Sequence, residues 1–185
     1  MSGIEIKYDL SSIRHVSDVM HRAQKLAPDV LRLAVKHTGG KATSAMRSAL
    51  VDQTGLKRGT LVRAVKGSSA GLGYIIKSHG GNIRLKFFRA RETRKGVSAA
   101  PWNARRIYPG TFMKGGRFPN RKPLGMGGQV MQRAGSRRLP LHGVKSGLFI
   151  PEEMVKGQSE AAFYGVLQSD LAPRLEHELS RILAG

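Results

Sequence analysis

Apolar side chains recur at helical spacing through the first quarter of the chain. Ile13, Val16, Val19, Met20, Ala23 and Leu26 fall three or four residues apart, the period of one helix face. Ser11 and Ser12 supply N-cap residue types ahead of them. Pro28 is tolerated in a first helical turn and can open a second helix, which Val30, Leu31, Leu33, Ala34 and Val35 continue. Gly39-Gly40 predicts a kink or break, because each glycine costs about 1 kcal/mol in a helix interior. Ala42, Ala45, Met46, Ala49 and Leu50 resume the stripe, and Gly55 reads as a C-cap. Residues 56–66 are ambiguous; Leu61, Val62 and Val65 fit a short helix with a basic outer face.

From residue 71 the period shortens. Leu72–Ser78 and Ile83–Arg91 are two runs joined by His79-Gly80-Gly81-Asn82, and in the second run Ile83, Leu85 and Phe87 alternate with Arg84, Lys86 and Phe88. The pattern predicts a hairpin with one apolar and one largely basic face. Residues 92–104 read as a basic loop of small residues, and 106–113 as a strand broken at Pro109-Gly110. Residues 114–128 hold five glycines and two prolines and read as a flexible loop. Short extended segments follow at 129–133 and 137–150, ending at Pro151. Helical spacing returns from about Gln158 to Leu183, with Pro173 as a kink or a restart. Leu56, Leu61, Val166, Leu171, Leu175 and Leu179 are expected in packing.

The fold class expected is α+β: N-terminal helices, a central small antiparallel β-sheet with long basic loops, and a C-terminal helix packed on the sheet. At 185 residues one domain is expected over 1–185. Its parts are a helical 1–55, a basic β-rich 56–151 with the flexible loop 114–128, and the C-terminal helix 152–185.

Charge changes the picture. The chain carries 32 Lys+Arg against 12 Asp+Glu, a formal charge of +20. Residues 1–52 and 152–185 together balance, whereas 53–151 hold 21 basic residues and one acid, Glu92. Self-repulsion on that scale destabilises a compact chain, so a neutralising partner is expected. DNA, RNA and acidic protein surfaces are not separable by charge alone; a solvated basic surface is the competing reading. Cysteine is absent, which excludes disulfides, thiolate metal sites and cysteine nucleophiles. No apolar run reaches the roughly 18 residues of a membrane helix, and Met1-Ser2-Gly3-Ile4-Glu5 lacks the pattern of a signal peptide. A soluble, intracellular product is expected, with no membrane association.

Catalytic patterns are weak. The histidines at 15, 21, 37, 79, 142 and 177 form no metal-binding pair. Glu152 and Glu153 are adjacent and diverge on a helix, where they favour its N-terminus. Gly39-Gly40-Lys41-Ala42-Thr43 has alanine where a phosphate loop needs Ser or Thr, and Gly71-x-Gly73 lacks the third glycine of a dinucleotide fingerprint. Ser11, Ser68 and Ser98 have no positioned base. No enzyme activity, metal or cofactor is expected.

Several pieces occur in an order that resembles a known family. They are Gly55-Leu56-Lys57-Arg58 through Leu61-Val62, the basic run Ile83–Arg91, and Arg94-Lys95-Gly96-Val97-Ser98-Ala99-Ala100-Pro101-Trp102. Arg105-Arg106-Ile107-Tyr108-Pro109-Gly110-Thr111-Phe112-Met113, Val130-Met131-Gln132-Arg133, Arg138-Leu139-Pro140-Leu141 and a long C-terminal helix follow. Together they resemble the minor tail protein Z family of phages and prophages, the tail completion protein of lambda-like phages. The likeness covers roughly residues 55–150, and the helical ends by pattern only. It implies a non-catalytic structural virion protein at the head-proximal end of the tail, acting in head–tail joining and DNA passage. It also implies a homo-oligomeric ring, commonly hexameric in related proteins, that contacts tail terminator and connector proteins, with genome DNA as a further candidate contact. Location in the virion follows, with host cytoplasm during assembly. The alternative is a free nucleic-acid-binding protein using its basic centre.

The contact residues expected for nucleic acid or an acidic partner are Arg84, Lys86, Arg89, Arg91, Arg94 and Lys95 on the hairpin and its exit loop. Arg105, Arg106, Arg117, Arg121, Lys122, Arg137 and Arg138 join them from later loops. Arg84 and Lys86, two apart in a strand, would share a face. Trp102, Tyr108 and Phe112 are the subunit-interface candidates; a buried indole under the loop is the competing reading for Trp102.

Overall fold

The computed structural model describes residues 11–117 and 119–183, with the side chains of 11–16 and 182–183 outside that description. The cap role of Ser11 and Ser12 and the stripe positions Ile13, Val16, Ile182 and Leu183 therefore lie outside the described residues. Helix α1 spans Ser11–Thr54 without interruption, about 66 Å at 1.5 Å per residue. Pro28 and the Gly39-Gly40 pair both sit inside it, so neither the restart nor the break expected from them occurs.

Gly39 is kept for space. A Cβ there would run into the ring of Tyr74, and a Cβ on Gly67 would meet the same side chain at its hydroxyl end. Packing of that ring against the helix outweighs the roughly 1 kcal/mol propensity cost of a glycine. Helix α1 ends at Gly55, whose N–H donates to Val51 O at 2.9 Å.

The short helix α2 spans Arg58–Ala64 and buries Leu61. Strands β1 (Val65–Ala70) and β2 (Gly73–Ser78) then form an antiparallel hairpin, with Val65 opposite Ser78 and Ala70 opposite Gly73. The two-residue turn Gly71-Leu72 has φ +58 at Gly71, the glycine-first geometry that suits right-twisted strands. The expected hairpin between Leu72–Ser78 and Ile83–Arg91 does not form. β3 (Asn82–Arg84) pairs with β12 (Lys145–Phe149) across the domain. The chain then closes into a 3-10 turn, Leu85–Phe87.

Strands β4 (Arg91–Thr93), β5 (Gly96–Ala99) and β6 (Arg106–Tyr108) make a three-stranded antiparallel sheet with β5 central. Residues 96–99, expected in a loop, are all buried; small residues let the chain run through the core between two strands. β7 (Thr111–Phe112), β10 (Met131–Arg133) and β11 (Leu141–Gly143) form another sheet. β8 (Lys114–Gly115) and β9 (Lys122–Pro123) pair within the loop expected to be flexible. Among the described residues the central region thus forms five small antiparallel sheets in place of one.

Leu50, Leu56, Leu61, Val65, Leu85, Phe88, Val97, Ala99, Leu148 and Ile150 form one buried cluster. Phe88, expected on the basic face, is fully buried within it. The 3-10 turn breaks the period-2 alternation and turns Phe88 inward.

Helix α3 (Ile150–Met154), with Pro151 in its first turn, leads into α4 (Gly157–Leu183), a single helix through Pro173. α4 lies along α1, which corrects the expectation that it packs on the sheet. Gln53 of α1 meets the backbone N–H of Ser159, and Thr38 meets Asp170, so the helices run antiparallel. Val30, Ala34, Ala42 and Met46 are buried on α1. Asp170 of α4 bonds across this seam to α1, while Glu178 is held by cations of its own helix. Asp170 accepts from Lys41 and, at 2.8 Å, from the Thr38 hydroxyl. Glu178 is buried between Arg174 at 2.6 Å and Arg181 at 2.9 Å.

The hydrogen bonds from Lys41 and then Thr38 hold the Asp170 carboxyl below its ordinary value. A depressed folded pKa contributes stability that is fully present above the unfolded value near about 4 and is lost as pH falls through the folded one. The urea midpoint of the chain is therefore expected to fall between pH 5 and 3, as ordinary acid unfolding requires. Asp170→Asn should be less stable at pH 7 and show a shallower acid limb. An acid limb unchanged by this substitution would show that Asp170 does not clamp α4 to α1.

Candidate cationic surface

The β4–β5–β6 sheet gathers four of the expected arginines. Arg91 is opposite Ser98, and Arg106 is opposite Ala99. Arg105 reaches the Ser98 hydroxyl at 3.2 Å and the Arg89 carbonyl at 3.5 Å. Arg89 sits in a turn with φ +51, a conformation a non-glycine residue adopts only under constraint. Arg89, Arg91, Arg105 and Arg106 thus converge around one end of the buried strand β5, all exposed. Arg94 and Lys95 occupy the β4–β5 turn at the other end, also exposed.

The remaining expected contacts divide. Arg117, Lys122, Arg137 and Arg138 are exposed, on the β8–β9 segment and on the loop before β11. Arg84 and Lys86 do not share a strand face, because β3 ends at Arg84 and Lys86 lies in the 3-10 turn. Arg84 donates to Gln129 at 2.5 Å, while Lys86 is half-buried with its ammonium 5.3 Å from the Phe87 ring centre.

Arg121 is not a free contact residue. Its guanidinium pairs with Glu92 and also donates to the Lys114 carbonyl at 2.6 Å. The other Glu92 oxygen accepts the backbone N–H of Met113 at 2.6 Å and of Lys114 at 3.0 Å. The one acid of the central segment therefore ties the base of the β8–β9 loop to β4. Among the described residues, Arg121 is the single Lys or Arg of residues 53–151 in an ion pair.

Trp102 lies in the turn Pro101–Asn103, where both Trp102 (φ 52) and Asn103 (φ 57) are left-handed. Two contacts hold this strained turn. The Asn103 amide donates to the Asp52 carbonyl at 2.7 Å, at the C-terminal end of α1. The Trp102 indole N–H donates to Glu153 at 3.1 Å. Glu153 also accepts from Gln53 at 2.7 Å and from Lys156 at 3.0 Å. Burial works against its charge, but the hydrogen bonds from Gln53, Lys156 and Trp102 outweigh it and lower the pKa. Trp102 is 38% exposed, so it anchors the turn through its indole N–H while part of its surface faces solvent. Tyr108 packs half-buried on the core, and Phe112 lies beneath Arg133, 5.8 Å from guanidinium to ring centre.

Strand register adds three cations that the sequence does not mark, Lys66, Lys77 and Lys145, and pairs the last with the expected Arg84. Lys66 lies directly opposite Lys77 in the β1–β2 hairpin, and Arg84 directly opposite Lys145 between β3 and β12. All four are exposed. The signal for the first pair is the Gly-x turn at 71–72 between two runs of equal length. The second pair joins residues 61 apart and has no local signal. Like charges directly opposite in a sheet are destabilising, and here neither pair forms an ion pair with a carboxylate among the described residues.

Among the described residues there is no group of three or more acidic or histidine side chains placed to hold a metal ion. No described helix is long and apolar enough to cross a membrane. No family model matches the chain, and no curated protein and no solved structure matches it.

Proposed function

We propose that this chain is a structural, non-catalytic phage virion protein that completes the tail at its head-proximal end. It joins tail to head and lines or flanks the path of the DNA as a member of an oligomeric ring. The reading is carried by one observation: 21 cations over residues 53–151 share a single acid, and that acid is spent on Arg121 and two backbone amides. A surface of this kind is suited to hold a polyanion or an acidic neighbour. Phosphate contacts from Lys and Arg fix position without reading bases, as a passage for DNA of any sequence requires. The order of the segments resembling minor tail protein Z, from Gly55 to Leu141, gives the reading its place in the virion. The helical seam of α1 and α4, nearly neutral, acts as the frame on which these small sheets are presented.

The test is imaging of particles from a phage lacking the gene. Heads and tails are expected to form but to remain unjoined or to carry defective tail ends. Normal infectious particles would overturn the proposal.

A further inference from the structure

We infer that the like-charged cross-strand pairs, Lys66 with Lys77 and Arg84 with Lys145, are seats for the phosphodiester backbone of duplex DNA. The inference rests on the reading of the basic centre as a polyanion-binding surface, and it names the partner and the residues. For Lys66 and Lys77 an unbroken register sets both side chains on the same face, with Cβ atoms about 4.5–5.5 Å apart; Arg84 and Lys145 are partners beside a register shift between β3 and β12. The Lys66–Lys77 spacing suits two cations converging on one phosphate.

Neither pair has a carboxylate partner among the described residues. A free chain thus holds two repulsive contacts that a bound phosphate would turn into attractive ones. The outward face of the β1–β2 hairpin consists of Lys66, Ser68, Ala70, Gly73, Ile75 and Lys77. Its small residues leave room for a bulky backbone to approach, and it has no aromatic anchor. Protein interfaces are depleted in lysine and enriched in aromatics at their centres, so this face favours phosphate over an acidic protein. The two seats are close along the chain. Only His79, Gly80 and Gly81 separate β2 from β3, so the facing strand ends lie within about 14 Å. Duplex DNA carries a charge about every 1.7 Å of its axis, dense enough to offer each seat a phosphate.

The test uses the full chain and a labelled 30-base-pair duplex of arbitrary sequence, with binding followed by fluorescence anisotropy from 50 to 200 mM salt. The double variant Lys66→Gln/Lys77→Gln is expected to bind about ten-fold more weakly at 50 mM, with a salt slope smaller by about 1 to 2. The loss should be the same for duplexes of different sequence. Lys66→Arg/Lys77→Arg should restore binding. Without DNA, the Gln variant should unfold at the same or a higher temperature at low salt, because a repulsion has been removed; this also shows that it folds. Arg22→Gln/Lys25→Gln removes the same charge from exposed positions on α1, outside the basic centre, and should cost distinctly less affinity.

Equal losses in both double variants would overturn the inference in favour of a diffuse charge effect. So would unchanged binding, or poly-glutamate bound as tightly as DNA with the same sensitivity to Lys66 and Lys77. These measurements concern the isolated chain, so failure here leaves the head–tail imaging result unaffected, and failure there leaves these seats intact.

Discussion

Replacing Gly96 by alanine is expected to destabilise the protein by about 3 kcal/mol or more, a loss typical of strained backbone combined with overpacking. Gly96 opens strand β5 with φ +134, and a Cβ there would meet the carbonyl oxygen and carbon of Tyr108 and the Cα of Pro109. Those are backbone atoms of the neighbouring strand and its exit, so no side chain can swing away to make room. β6 would have to move, and with it the pairing of Val97 with Tyr108 over the buried cluster. In a domain of this size the thermal midpoint should drop by roughly 6–12 °C. Gly59 is the control: it lies in α2 with nothing near its added Cβ. Alanine there should be neutral or stabilising by up to about 1 kcal/mol. A Gly96→Ala protein with the parent midpoint would mean that β5 does not run between β4 and β6.

The same strand explains why parts of the fold were legible in the sequence and others were not. The helices α1 and α4 follow from apolar residues at 3.6-residue spacing, a local property. β5 is made of Gly96, Val97, Ser98 and Ala99, whose composition reads as loop; its strand character comes from being sandwiched in the core. Gly67-Ser68-Ser69-Ala70 likewise lacks strand formers, so the run Tyr74–Ile76 reads most naturally as pairing forward. What selects the backward pairing is the Tyr74 ring seated on Gly39 and Gly67, a contact 35 residues away from the strand that makes it. The Gly39-Gly40 break fails for the same reason: space for a ring outweighs propensity.

The candidate surface divides along the same line. Counting charges locates the basic segment and its lone acid. Which cations are spent and which are free depends on register and on long-range hydrogen bonds. Arg121 reads as a loop contact but is held by an acid 29 residues earlier. Lys66 and Lys77 look unremarkable until the hairpin register sets them face to face. Trp102 reads equally well as a buried indole or an exposed anchor, and its strained turn makes it partly each.

Glu92→Gln is expected to cost about 3 kcal/mol, the lower end of the range for breaking a buried charge pair by removing one partner. The Glu92 side chain is 8% exposed and Arg121 21%, so loss of the carboxylate leaves a guanidinium with little water to replace it. Glutamine keeps one acceptor oxygen, which can serve Met113 or Arg121 but not both sides of the site. The consequence should be local as well as global. Amides of Met113 and Lys114 lose their charged acceptor and should exchange with solvent faster, while amides of α1 and α4 should follow only the global stability.

Arg121→Met/Glu92→Leu, which removes both charges, should recover part of the loss, because no ion is then left unpaired. If the single variant is as stable as the parent and Met113 exchange is unchanged, Glu92 does not hold the loop. The same variant bears on function. A carboxylate already accepting two amides and a guanidinium has little capacity left for a metal or a substrate. Glu92→Gln should therefore leave DNA affinity equal or slightly higher, since it removes a negative charge, while freeing the β8–β9 loop. Under the proposed function, loss of head–tail joining in a phage carrying this variant, at temperatures where the protein stays folded, would place the requirement in the β8–β9 pairing and not in charge alone.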